Sequence, residues 1–459
     1  MRRARASGWA LLVAALVAVA STAVAAPGGR KLRSSQQAGC VADPELVTQT
    51  LRANRCGVAA DGGPVIELWT MGQGDLMVEK FGHAALCICR EGQPSYCYNY
   101  GTTDFAHPLS LGWGFLRGDS EFWVEPWPRD RMLYWYMCKD RSLYKQVFDD
   151  KVMTAEQRQK MAAKLEEDTP DPTDAGLKYK YHHFYDNCTT RVRDIIDLGA
   201  GGKLREGTDE VVGPTFRQLG AIGFAEQTWM RAMSDFVYGR EADVKPTAWQ
   251  IMFHPDYLRE AVAAKLGVAA ATVYERQGRQ FSHTGSSGRI YTFFFAVLVA
   301  FPAVFTRLRR RRQRLGLILS SIPIGFIAFV IWFMCLASTL PEFRWNEAAL
   351  LFLPTDAFLQ RFKPDRRKLY ARIRLGIVAL VGLLCAVGIF RQPLWMPILV
   401  ILPILLVGAY PAADRAAAAK PADDAKPADD DKPVDKSESE KPAKKPGSKA
   451  ARRVTRAAR

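Results

Sequence analysis

Apolar positions along the chain change their spacing partway through. From about Cys40 to Gly278 they come in short runs separated by polar breaks. VIELWTMG, HAALCIC and RMLYWYMC have the length and the β-branched and aromatic content of strands. TAEQRQKMAAKLEE (154–167) and CTTRVRDIIDLG (188–199) repeat apolar residues at helical spacing. The first opens with Thr154 and Gln157, the two ends of a capping box, and the second ends at a glycine. TPDPTD breaks the chain between them, and KYKYHHFYDN reads as a strand or extended lead into the second helix. This mixture predicts an α+β domain over 40–278. Beyond it the runs lengthen into four apolar segments, 290–306, 315–338, 375–390 and 393–410. They predict a transmembrane domain over 290–410 with about four helices, of which the first and third borrow flanking residues to span. ALLFLPTDAFLQRF, between the second and third segments, is amphipathic and is expected at the membrane interface. The stretch 412–459 repeats Lys, Pro, Asp and Ala, cannot bury a core, and is expected to be disordered.

The N-terminus sets the compartment. Basic MRRAR precedes an apolar run from Trp9 to Ala20 and then small residues, the pattern of a secretory signal over 1–25 cleaved after Ala25. With the 40–278 domain outside, the first apolar helix runs inward and RLRRRRQR (307–314) sits inside, as the positive-inside rule requires. RRKLYARIR (366–374) fits less simply, because plain alternation of the spans puts its charges outside. The formal charge of +16 comes mostly from the signal, the 307–314 cluster and the tail. Those are topology and tail charges, so no nucleic-acid partner is expected.

Seven cysteines precede the apolar segments: Cys40, Cys56, Cys87, Cys89, Cys97, Cys138 and Cys188. Disulfides are expected in an exported domain, and an odd count leaves one thiol over. Cys40 and Cys56 flank an amphipathic stretch and are expected to bridge. Cys87 and Cys89 lie two apart on one face of a strand and should not pair together, but each can reach Cys97 or Cys138. Cys335 and Cys385 lie in membrane segments and read as packing.

Cys188 is the thiol left over, and it opens the predicted helix. Unpaired backbone N–H groups and the positive end of the helix dipole favour a thiolate there. A thiolate needs a base to hold its proton, and His83 in FGHAAL is the candidate. His182 and His183 are rivals close in sequence, although on a strand they point to opposite faces. His107, His254 and His283 read as structural. No HExxH, paired CxxC or carboxylate cluster is present, so no metal or other cofactor is expected. GAGGK (199–203) follows a helix instead of preceding one and is not a phosphate loop.

FGHAAL, then YNYGTTDF (98–105), then the basic aromatic stretch ending at Arg141, then YDNCTTRVRDIID resemble the Lnb N-terminal periplasmic domain family over about residues 65–240. The order, histidine before cysteine, is similar to circularly permuted papain-like (NlpC/P60-like) folds. The family includes bacterial lipoprotein N-acyltransferases with a periplasmic thiol domain followed by membrane helices. The resemblance therefore implies an inner-membrane enzyme with its catalytic domain in the periplasm. Cys188 would attack a phospholipid acyl donor, with His83 as base, and the thioester would pass to the N-terminal amine of a lipoprotein acceptor. A thiol hydrolase of the same fold and a non-enzymatic envelope maturation factor are the alternatives. Asp104 is a weak candidate to orient His83, and Tyr100 is another. Asn187 or a backbone N–H near Cys188 would hold the oxyanion. Arg191 and Arg193 would bind phosphate or, preferably, pair with Asp194 and Asp197 on their own helix. Trp113, Phe115, Phe122, Trp123, Trp127, Trp135 and Tyr136 divide between a lipid boundary and the core.

Overall fold

The computed structural model describes residues 40–104, 106–169, 177–225, 227–281 and 288–413. The expected signal (1–25), nearly all of the expected tail (412–459) and His283 lie outside these residues.

Helix α1 (Pro44–Ala53) precedes strands β1 (Val65–Met71), β2 (His83–Cys89) and β3 (Tyr96–Thr102). Next come α2 (Pro108–Arg117), β4 (Glu121–Pro128), α3 (Arg129–Cys138), β5 (Leu143–Phe148) and α4 (Ala155–Glu167). β6 (Tyr179–Lys180) leads to α5 (Cys188–Gly199), α6 (Phe216–Gly223), α7 (Thr228–Val237), α8 (Pro255–Leu266) and β7 (Ala271–Tyr274). The strands form one antiparallel sheet in the order β6-β4-β3-β2-β1-β5-β7. Every residue of β1 is buried, because helices cover both faces. Leu68, Leu86 and Tyr98 point to one face and pack with Met161 and Leu165 of α4, Ile195 and Ile196 of α5, and Val262 of α8. Trp69, Ala85 and Cys97 point to the other and pack with Val47 of α1 and Met132, Leu133 and Met137 of α3. Each such side chain contributes roughly 1.5–3 kcal/mol by leaving water.

RMLYWYMC, expected as a strand, is most of helix α3. Its aromatic content suits a strand, but Arg129, Met132, Leu133, Met137 and Cys138 are the buried positions of α3, and the first four share the spacing of one helical face. Arg129 opens this helix and pairs with the buried Glu67 (2.7 Å), which also accepts from Trp69 Nε1 (2.8 Å).

The bridges are Cys40–Cys138, Cys56–Cys89 and Cys87–Cys97. The expected Cys40–Cys56 bridge does not form. α1 carries Cys40 to the end of α3, where Val41 N donates to Cys138 O (3.0 Å), and the chain beyond α1 reaches the end of β2. Cys87 and Cys97 are direct cross-strand neighbours. Cys188 is free.

The helical part comprises α9 (Arg289–Leu308), α10 (Gln313–Ala337), the single turn α11 (Pro341–Arg344), α12 (Pro364–Ala386) and α13 (Trp395–Ala409). α9, α10 and α12 are long and apolar enough to cross a membrane, and α13 is a shorter apolar helix. α12 begins earlier than expected and takes in RRKLYARIR. Side-chain contacts fix its direction. Arg289 lies over Trp395 at one end of the α9–α13 pair. At the other end Arg307 Nε donates to Tyr410 O, and Gln313 exchanges hydrogen bonds with Ala412. Arg372 lies over Tyr410, so the start of α12 shares that basic end. Beyond the far end of α12, Gln392 Nε2 donates to Asp235 O in α7.

The chain must therefore return from the end of α10 to the basic end without an α-helical span. It does so through Pro341–Phe362, with 3-10 turns at Glu347–Leu350 and Pro354–Arg361. ALLFLPTDAFLQRF thus packs against the middle of α10, where Ala357 lies against Gly325. Non-helical backbone is tolerated at membrane depth only where protein satisfies it. Arg374, 1% exposed, does so: it donates to Leu350 O (3.0 Å) and Leu351 O (2.8 Å) and pairs with Asp356 (2.9 Å). This return places RRKLYARIR beside RLRRRRQR, in keeping with the positive-inside rule. Cysteines at positions 310 and 366 should react with an impermeant maleimide only after the membrane is opened, and one at 345 without opening. Labelling of 366 together with 345 would contradict the return segment.

Candidate active site

Cys188 is the first residue of α5, and Asn187 caps that helix. Asn187 Oδ1 accepts from Thr189 N and Thr190 N (both 2.9 Å), and Thr190 Oγ1 accepts from Asn187 N (2.8 Å). Asn187 Nδ2 donates to His183 O (2.9 Å) and Phe253 O (3.1 Å). The amide is thus occupied on both sides. Such a cap contributes about 1 kcal/mol and fixes where the first turn starts. Asn187 consequently holds the helix that starts at Cys188, and its amide is not free to bind an oxyanion. The Cys188 N–H, at the first helical position, is the nearer donor for that role.

His83 opens β2, opposite Met71 at the end of β1, so it stands at the end of the sheet. Its ring stacks on Tyr136 of α3 at 6.0 Å, and Tyr136 in turn lies under the Arg141 guanidinium (4.8 Å). Asn99 Oδ1 lies 3.3 Å from His83 Nε2. Asn99 is buried, and its Nδ2 donates to Cys97 O (3.2 Å), which turns the amide oxygen toward the histidine. Gly101 completes the setting. It has φ 94° at the bulge between Tyr100 and Thr102, and a Cβ there would lie 3.5 Å from Cys188 Cβ. The backbone turn requires glycine, and it brings β3 against the nucleophile.

The half-buried Cys188 sulfur meets the His83 ring, the Ala84 backbone N–H and Thr189 Oγ1 (3.8 Å). Burial pushes the thiol up. The charge and hydrogen bond of His83, with smaller help from Thr189 and the Ala84 N–H, outweigh it and lower the thiol to about 7. Burial raises the hydroxyls of Tyr136, Tyr179 and Tyr181, and the adjacent Cys188 charge adds to each, so all three stay protonated.

Other expected residues fall elsewhere. Asp104 is exposed, accepts from Ala106 N (2.9 Å) and faces His107 Nδ1 (2.8 Å), so Asn99 and not Asp104 touches His83. The Asp104 carboxyl lies below its usual range through His107. Tyr100 is buried, and its hydroxyl donates to Asp168 (2.7 Å), away from His83. Arg191 grips Asp186 with two hydrogen bonds (2.5 and 2.7 Å) and lies over Tyr179 (4.3 Å), while Arg193 pairs with Asp194 (2.7 Å). Pairing is what the structure gives both arginines, although Arg191 takes a partner upstream of the helix. His182 and His183 face Glu342, which follows α10, and not Cys188. The structure adds Asn99 and Gly101 to the site, together with Tyr136, which is expected from sequence only at a lipid boundary or in the core. Asn99 carried a signal, being an amide inside an apolar strand on the same face as Cys97. Among the groups that could hold a metal, Cys56, Glu67 and Cys89 are closed by the Cys56–Cys89 bridge.

A free thiol at a capped helix start, lowered to about 7 by a histidine from the adjacent sheet, stands in a domain that is followed by apolar helices. Residues 63–220 match the Lnb N-terminal periplasmic domain family, and this part of the chain is a domain of that family. Comparisons with curated proteins and with solved structures give no match. The chain is accordingly a membrane protein with a periplasmic domain.

Alkylation of Cys188 by iodoacetamide should rise with pH around a midpoint of about 7, as the thiolate forms. His83→Ala leaves burial opposed only by Thr189 and the Ala84 N–H, so the midpoint should move up. Alkylation at pH 7 should then fall at least about tenfold. A midpoint unchanged in His83→Ala would show that the histidine does not ionise the thiol.

Proposed function

We propose that the protein is a cysteine acyltransferase of the inner membrane, and that its domain has the permuted papain-like arrangement. The observation that carries this reading is an ionisable thiol–imidazole pair in a domain joined to the outer ends of apolar helices. The join is direct: Thr339 N, just past α10, donates to Arg117 O at the end of α2 (3.0 Å). α2 also exposes Leu109, Trp113 and Leu116 in one stripe, and Trp113 meets Phe333 of α10 at 5.6 Å. An apolar stripe continuous with a span suits the bilayer boundary, where Trp is favoured. Phe122 is instead buried, and Trp127 and Tyr136 pack against the core.

The chemistry follows from the pair. Cys188 sulfur attacks the ester carbonyl of a phospholipid, and its proton resides on His83. The Cys188 N–H stabilises the oxyanion. As the tetrahedral intermediate collapses, the carbon–oxygen bond breaks, and His83 gives the proton to the departing lysophospholipid alcohol. The resulting thioester meets the N-terminal amine of a diacylated lipoprotein. The amide bond forms, the carbon–sulfur bond breaks, and His83 relays the amine's proton back to sulfur. Asn99 holds His83 Nε2 and so leaves the other ring nitrogen for these transfers. Both substrates are confined to the membrane, which raises their effective concentration at a tethered site.

Mass spectrometry of lipoprotein N-termini tests the reading. Deletion cells carrying wild-type protein should show N-acylated termini, and those carrying Cys188→Ala or His83→Ala only diacylated ones. Unchanged N-acylation with Cys188→Ala, or release of free fatty acid without N-acyl product in a purified assay, would contradict it.

A further inference from the structure

The polar contacts of the turn before Cys188 lead out of the periplasmic domain. Glu342 lies in α11, just beyond the end of α10, and its side chain is 3% exposed. Its Oε1 stands 2.8 Å from His183 Nε2 and 3.4 Å from His182 Nε2. A buried carboxylate is costly unless charge or hydrogen bonds meet it, and these two rings are what meet it. Tyr185 and Tyr238 are the further titratable groups that feel its charge. The segment around it is held firmly. Gly239 N donates to Glu342 O (2.6 Å), Asn346 Nδ2 donates to Phe236 O (2.7 Å), and Phe343 stacks on Tyr238 at 5.2 Å.

From Glu342 three links reach the nucleophile. The carboxylate lies against the His183 ring (2.8 Å). His183 O accepts from Asn187 Nδ2 (2.9 Å), and Asn187 Oδ1 caps the first turn of α5, which begins at Cys188. The turn itself is closed by paired backbone bonds between His182 and Asp186 (2.9 and 3.0 Å). We infer that Glu342 is a positioning residue: it holds the His182–His183 turn, and through the Asn187 cap it sets the Cys188 sulfur against His83.

The same three side chains have the donor set of a cation site. The hydrogen bonding of His182 favours the clamp instead. Its Nδ1 accepts from Phe184 N (3.3 Å), so the ring proton sits on Nε2 and faces the carboxylate. A ring nitrogen that carries its proton has no lone pair to offer a metal.

This role rests on Cys188 being the nucleophile, but its test needs no lipid substrate, so failure of the acyl-transfer reading leaves it measurable. Full-length protein in phosphatidylethanolamine–phosphatidylglycerol nanodiscs is alkylated with iodoacetamide across pH, and modification of Cys188 is read by peptide mass. Glu342→Gln and Glu342→Ala should move the Cys188 midpoint up by about one pH unit, slowing alkylation at pH 6 about tenfold. Glu342→Asp, which keeps the charge, should stay nearer wild type. Adding His183→Gln to Glu342→Gln should shift the midpoint no further, since both act through one link. If Glu342→Ala loses its thermal transition, the paired change Glu342→Leu with His183→Phe supplies a folded comparison that lacks the ion pair, and its midpoint should also be raised. A wild-type midpoint in the folded variants, or additive effects of the two substitutions, would overturn the assignment. So would stoichiometric zinc in the purified protein that is lost in Glu342→Gln.

Discussion

Burial alone would keep the Cys188 thiol protonated, and one neighbouring imidazole reverses that. The balance depends on distance, because the pull of the His83 charge weakens with separation and its hydrogen bond forms only at contact range. Much of the surrounding structure maintains that distance. The Asn187 cap fixes where α5 begins, Gly101 removes the side chain that a bulged strand would otherwise place beside the sulfur, and Asn99 and Tyr136 hold the histidine from its other sides. These contacts come from β2, β3, α3 and α5, elements that the sheet alone brings together.

The helical part does more than tether the domain. A conventional four-span bundle would leave RRKLYARIR on the wrong side for its charge. The non-helical return through Pro341–Phe362 removes the conflict and places its polar groups against Arg374 and α10. That return begins at the turn carrying Glu342, so the segment that carries the chain back to the basic end also contacts the chain leading to Cys188. Membrane packing and nucleophile geometry are thereby linked through a few side chains.

What the sequence revealed followed local physics. The Thr154 capping box, the α5 helix starting at Cys188 and ending at Gly199, and the spare thiol are short-range or arithmetic features, and they stand in the structure. Features set by tertiary contact were hidden. RMLYWYMC has strand composition, yet it lies against the sheet as a helix, with Met132, Leu133 and Met137 turned to the core and Arg129 paired with the buried Glu67. Cys40 and Cys56 are close in sequence, but α1 sends them to opposite partners. Asp104 sits in the right motif, but the chain leaves the sheet before reaching it. Asn99, still within β3, is the residue that touches His83. Glu342 lies more than 150 residues beyond the motif it supports, with nothing in its surroundings to mark it.

The central claim is that the Cys188 sulfur becomes acylated. Purified full-length protein incubated with phospholipid and no acceptor, then measured by intact mass, tests this most directly. The account predicts a single acyl adduct that maps to Cys188, is released by neutral hydroxylamine as a thioester is, and is absent from Cys188→Ala. No adduct under conditions that support turnover, or an equal adduct on the Cys188→Ala protein, would contradict it.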